Sequence, residues 1–391
     1  MSKEVFLEKT DNHSVGLNVY SLFHLRGRQK GDVGLEVEVE GNQFPKEDHP
    51  SIPSTWSYHH DGSLRGNDNA EYVLRKPVKF ADVSKEVQKL WGMFKECGSV
   101  LEESNRTSVH VHLNVQEFHL NRLCSFMALY FSVEEILTAW CGENRIGNMF
   151  CLRAKDAYGI VTNIKRFLQD ENSGAKFSDG LHYSGLNAQA LQKFGSVEIR
   201  SLRGATEPQI IIDWVGILQR IYELSAEFKD PREVCEKFSG CGAMNYFETV
   251  LGDKSDMVRT GVCMDTQEIM TSLYDGIRIA QDLCYCRDWS KYKPVDLKPD
   301  PFGRSNVKIL EQMQSSGEIG PIYYGVADIE TAPSVPYTGL TSLTAFHQLY
   351  MTTPLTTSSG NPAPGTTQEE VDENDFDPFG PHDYDDMEDD E

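Results

Sequence analysis

Residues 34–41 read GLEVEVEG, an alternation that sends Leu35, Val37 and Val39 to one side of an extended chain and Glu36, Glu38 and Glu40 to the other. Three carboxylates along one strand face repel one another. In water they simply solvate an outer face; shielded from water they must pair or hold a cation. Two later stretches repeat the division of labour. TSVHVHLNV (107–115) separates Val109, Val111, Leu113 and Val115 from His110, His112 and Asn114. SVEIRSLR (196–203) separates Val197 and Ile199 from Glu198 and Arg200. Together with AEYVLR (70–75), these stretches read as strands with one face against a core, the habit of antiparallel sheets.

Amphipathic helical patterns fill the intervals, at about residues 82–97, 117–140, 145–170, 207–228 and 263–286. The expected fold is α+β: an antiparallel sheet with helices packed on one face and an active site on the other.

A chain of 391 residues with 39% hydrophobic content can bury a sizeable core. No stretch reads as the roughly 18 apolar residues of a membrane span, and MSKEVFLEKTDNHS (1–14) lacks a secretory apolar segment, so a cytoplasmic protein is expected. The nine cysteines are odd in number and form no CxxC pair, which predicts reduced thiols. Cys284 and Cys286 make a CxC near a helix end and are expected to serve packing.

Four segments are expected. Residues 1–32 form an N-terminal arm with a basic knot (Arg26, Arg28, Lys30), and residues 33–290 a catalytic domain. Residues 291–353 are a C-terminal extension, and 354–391 a linker (PLTTSSGNPAPGTT, 354–367) and acidic tail. Residues 369–391 hold thirteen acids and no base, so the rest of the chain carries −10 of the total −23, and no nucleic-acid groove is indicated. Such a tail is expected to be disordered. Phe376, Phe379 and Tyr384 among the acids suit a docking strip for a basic protein partner, the alternative being a solubilising tail.

Taken singly, each strand's polar residues have an ordinary explanation: a solvated face, satisfied histidines, a local ion pair. Gathered on one sheet face, they put carboxylates and two histidines beside a guanidinium, the donor set a magnesium–nucleotide requires. No GxxxxGK[ST] phosphate loop occurs in the chain.

Five segments in order, GLEVEVEG (34–41), HHDGSLRGNDNAEYVLRKP (59–77), NRTSVHVHLN (105–114), ENRIGNMFCLR (143–153) and YSGLNAQALQKFGSVEIRSLRG (183–204), resemble the amidoligase family of carboxylate–amine ligases, distant relatives of glutamine synthetase and glutamate–cysteine ligase. The resemblance covers about residues 33–205. It implies a glutamine-synthetase-like sheet and an ATP- and magnesium-dependent enzyme. That enzyme would join a small-molecule, peptide or protein carboxylate to an amine through an acyl phosphate. It also implies metal-ligand roles for Glu36, Glu38, Glu71, His110 and Glu198, with His112 beside the nucleotide phosphates and Arg200 on the transferred phosphoryl group. Arg145 and Arg153 are candidate phosphate contacts. Asp61 shapes the acceptor pocket or takes a proton from the amine, or else holds an Asp-Gly turn. The family is frequent in bacterial viruses and mobile elements, which would place a virus-encoded member in the host cytoplasm. Rival readings are a phosphotransferase on the same fold, a non-catalytic interaction protein that keeps the scaffold, and a metal-dependent hydrolase using the HxH pair.

Overall fold

The computed structural model describes residues 4–7, 14–23, 25–65, 68–169, 183–294 and 322–325. Every described residue belongs to one compact unit, which lies within Met1–Pro336. The acidic tail, the linker and most of the C-terminal extension lie outside the described residues.

Strands β1 (Glu4–Leu7) and β2 (Ser14–Gly16) precede the main sheet, which is built from β3 (Val33–Asn42), β4 (Trp56–His59), β5 (Asp68–Leu74), β6 (Val100–Glu102), β7 (Ser108–Asn114), β8 (Leu186–Asn187) and β9 (Ser196–Arg203). Two more short strands follow, β10 (Tyr292–Pro294) beside β2 and β11 (Ile322–Gly325) beside β1. The main sheet runs β4-β5-β3-β7-β9-β8, with β6 also on β3, and every pairing in it is antiparallel.

The helices are α1 (Val19–Leu22), α2 (Val83–Cys97), α3 (Leu120–Cys141), α4 (Gly159–Gln169), α5 (Ala190–Lys193) and α6 (Pro208–Leu224). After them come α7 (Arg232–Cys241), α8 (Ala243–Leu251), α9 (Ser255–Gly261) and α10 (Thr266–Cys284). This is an α+β architecture.

The alternation in β3, β7 and β9 works as read. Val33, Leu35, Val37, Val109, Val111, Leu113, Val197 and Ile199 are each at most 1% exposed. Their mostly β-branched side chains suit a pleated, packed surface, and each full burial contributes about 1.5–3 kcal/mol. Helices cover this face. Phe94 of α2 meets Tyr72 of β5 edge-on at 5.3 Å, and the Tyr130 hydroxyl of α3 lies 3.0 Å from Ser201 Oγ of β9. Helix α6 packs against both α2 and α3, while α10 lies along α3.

Three sequence expectations need correction. The pattern at 145–170 is a helix only over Gly159–Gln169; a 3-10 turn at Glu143–Arg145 and Gly147 with φ 72° interrupt it. Helices α7, α8 and α9 were not anticipated, because at 7–10 residues their periodicity is too brief to read. Leu120–Cys141 does reach the length and mean hydropathy (1.2) of a membrane span, but 83% of that window is buried inside the domain. It is the core helix. Its polar residues Ser125, Ser132, Glu134 and Thr138 are each at most 3% exposed.

The glycine that closes GLEVEVEG has a steric task. Gly41 has φ +147°, and a Cβ there would stand 1.9 Å from the Val100 carbonyl oxygen. Only glycine lets β6 pair so closely with the end of β3.

Candidate active site

The polar residues of four adjacent strands project from the face opposite the helices. Register brings them together: Glu38 sits opposite Glu71, Glu36 opposite His110, and His112 opposite Glu198. His110 is the centre. Its Nδ1 lies 2.9 Å from Glu36 Oε2 and its Nε2 2.7 Å from Ser108 Oγ. Glu38 Oε2 accepts from both the Ser108 backbone N–H and the Ser108 hydroxyl, at 2.7 Å each. His112 Nε2 lies 3.0 Å from Glu36 Oε1, and its Nδ1 3.1 Å from Ser196 Oγ. Arg200 Nη1 donates to Glu198 Oε1 at 2.5 Å, and Asn187 Nδ2 donates to Glu198 Oε2 at 2.7 Å.

Two sets of ligand-type atoms converge: Glu36, Glu71 and His110, and Glu36, His112 and Glu198, the atoms of each set lying within 4.8 Å of one another. Glu36 belongs to both sets. The two carboxylates in each set fit a hard divalent cation, while the single imidazole is a borderline donor.

The electrostatics carry the same message. Glu36, Glu38, Glu71 and Glu198 share this face with two histidines and Arg200; Glu38, His110 and Glu198 are buried and the others half-buried. Burial raises Glu71 most, and the charges of Glu36 and Glu38 add to it, so its carboxyl is pushed up to about 9. Burial likewise raises Glu38 despite His110 and Ser108. For Glu198, burial is outweighed by Arg200 and the two histidines, and the carboxyl is held below its ordinary value. Burial is outweighed at Glu36 too, by His112 and His110, which hold it well below the carboxylate range. His112 is raised, since Glu36 and Glu198 offset its desolvation. Without a cation, the surplus negative charge is relieved by a proton on Glu71.

Asp61 holds the expected turn and lies near enough to the cluster for its charge to be felt there. Its Oδ1 accepts from the Ser63 N–H at 2.7 Å, closing a turn, while its charge reaches Glu38 and Glu71. Glu40, third in the acidic series, accepts from the Arg65 backbone N–H at 2.5 Å and so ties this loop to β3. The two remaining arginines are corrections. Arg145 is 1% exposed and donates to the carbonyls of Arg200 (2.8 Å) and Ser201 (3.2 Å). Arg153 forks onto Asp156 at 2.6 and 3.0 Å, with Glu135 3.9 Å away. Neither is brought to the carboxylate cluster, because a buried guanidinium goes to the nearest acceptors the fold supplies.

Three residues were missed. Ser108 shares the parity of His110 and was legible on that ground; Ser196 shares that of Glu198. Asn187 sits on a two-residue strand with no periodicity to read.

A family model described as "Putative amidoligase enzyme" matches residues 34–222. Over these residues the chain is similar to that family. No curated protein matches the chain. The matched region contains every residue of the cluster and ends within α6, so α7–α10 lie beyond it. The family's description points to amide-bond formation, and the acidic and imidazole groups on the open sheet face are its candidate metal site.

Proposed function

We propose that this protein joins a carboxylate to an amine at the expense of ATP, on a sheet of the glutamine-synthetase kind. The observation that carries the reading is the convergence of Glu36, Glu71, His110, His112 and Glu198 beside the Arg200 guanidinium. A carboxylate resists amines because oxide is a poor leaving group; phosphorylation by ATP converts that oxygen into a departing phosphate. Glu36, Glu38, Glu71, His110 and Glu198 would hold magnesium, which when bound screens phosphate charge from the incoming carboxylate. His112 lies beside the same ligands, within reach of the nucleotide phosphates.

Arg200 keeps its charge at every working pH. Glu198 and Glu38 outweigh its desolvation and push its pKa further up. Its Nη1 is engaged by Glu198 and its Nε by the Phe150 carbonyl, leaving Nη2 to meet phosphoryl oxygens. Asp61, on the rim of the acidic face, takes the proton that the attacking amine must lose.

The test is ADP release from ATP with magnesium across a panel of carboxylic acids and amines, using 18O-labelled carboxylate. Release that needs both substrates, with one 18O appearing in inorganic phosphate, is expected. Phosphate retained on the product would make the protein a phosphotransferase. Release without any acid would remove the ligase reading.

A further inference from the structure

We propose that Arg145 is a positioning residue: it clamps the bulge in β9 and thereby aims Arg200 at the open face. This rests on the ligase reading only for what Arg200 does once aimed.

Between β7 and β9 the pairing slips. Val111 faces Ile199, yet Val109 faces Leu202, so β9 spends Arg200 and Ser201 against His110 alone. An extra residue of this kind bends the strand and re-aims a side chain. It is also a weak point, because relaxing it by one residue turns the side chains of the strand over. The Arg145 guanidinium closes on this point. Its Nε donates to the Ser201 carbonyl at 3.2 Å and its Nη2 to the Arg200 carbonyl at 2.8 Å. These are the carbonyls of the two bulged residues.

The same segment also holds the other end of Arg200, whose Nε donates to the Phe150 carbonyl at 3.4 Å. Arg145 itself is fixed by the 3-10 turn, where its N–H donates to the Gly142 carbonyl at 3.0 Å, and by Cys151 Sγ, which lies 3.7 Å from its carbonyl. A planar fork can serve two successive carbonyls at once. A lysine ammonium in its place reaches one of them as a point donor.

Two measurements test the proposal. In protein labelled at arginine side chains, the Arg200 Nε–H signal is assigned by its loss in Arg200→Lys. In Arg145→Lys this signal is expected to shift and to exchange faster with solvent, and an unchanged signal would overturn the proposal whatever reaction the site performs. The second is a double-mutant cycle on ADP release. Arg145→Lys is expected to lower kcat by about 10- to 100-fold, on the scale of a misplaced reacting group. In the Arg200→Lys background it should cost nothing more, since residues that act through one another are not additive.

Multiplying losses would show that Arg145 acts independently of Arg200, and the proposal falls while the ligase reading stands. Full turnover of Arg200→Lys alone would remove Arg200 from the chemistry and leave the signal shift to decide the clamp. Melting curves accompany each variant. If neither Arg145→Lys nor Arg145→Gln folds, the guanidinium serves the fold and the positioning role is overturned.

Discussion

Glu71 shows how much a single residue can report. Its carboxyl is pushed up to about 9, so at neutral pH it is protonated until a cation replaces the proton. Metal uptake at the Glu36, Glu71 and His110 set is therefore expected to release protons, that of Glu71 among them, and to tighten as pH rises toward 9. Calorimetric titration with manganese in buffers of different ionisation enthalpy measures this, and uptake with no proton release would exclude Glu71 from the metal. Arg200→Lys retains charge but loses the planar fork; turnover should fall about 100-fold, the scale of one strong charge-stabilising donor. Glu134 lies behind the site on α3, where its Oε2 accepts from the Ala154 N–H at 2.8 Å and its Oε1 finds no hydrogen-bond partner among the described residues. Burial, only partly offset by that N–H and by Arg153, pushes its carboxyl up to about 8. Because the folded value lies above the ordinary 4.5, its contribution is complete below that pH and is lost as pH climbs through about 8. The melting temperature of Glu134→Gln relative to wild type should accordingly improve from pH 5 to pH 8.5. A constant difference would mean that Glu134 is ionised throughout.

At the level of elements, strands announced themselves and bulges did not. The period-2 faces of β3, β7 and β9 are a property of local chain geometry, so the cluster residues Glu36, Glu38, His110, His112, Glu198 and Arg200 could be sorted from their hydrophobic neighbours by counting. The slip opposite His110 depends on which strand β9 meets, and nothing in SVEIRSLR records it. Arg145 and Arg153 illustrate the same limit, since residue type shows a charge but not the acceptors it will find. Packing between helices is equally silent in sequence. Gly276 of α10 faces α3 so closely that a Cβ would stand 2.5 Å from the Ser132 carbonyl oxygen. Backbone cannot step aside as a flexible side chain can, so Gly276→Ala should destabilise the fold by about 1–3 kcal/mol in denaturant titration. A neutral or stabilising effect would show that α3 and α10 cross farther apart.

For the molecule as a whole, the sharpest division in the chain is compositional. Residues 354–391 combine a Pro/Ser/Thr linker with thirteen acids and no base, and such a segment has little apolar surface to bury. A chain ending at Thr353 is expected to keep its melting temperature and its ADP release on small substrates. Loss of either would make the tail part of the catalytic unit, whereas loss of a basic partner in pull-down with activity intact would favour a docking role.

What the sequence determined by itself is the set of strands, which of their faces turns to the core, and the donor types on the other, because alternation is a local consequence of backbone geometry. Only the tertiary structure decided that Glu36 stands between two histidines on a neighbouring strand, that Asn187 completes the shell of Glu198, and that Arg145 serves backbone carbonyls instead of phosphate. Those outcomes follow from register and from the competition of buried polar groups for partners, and both are settled between segments far apart in the chain.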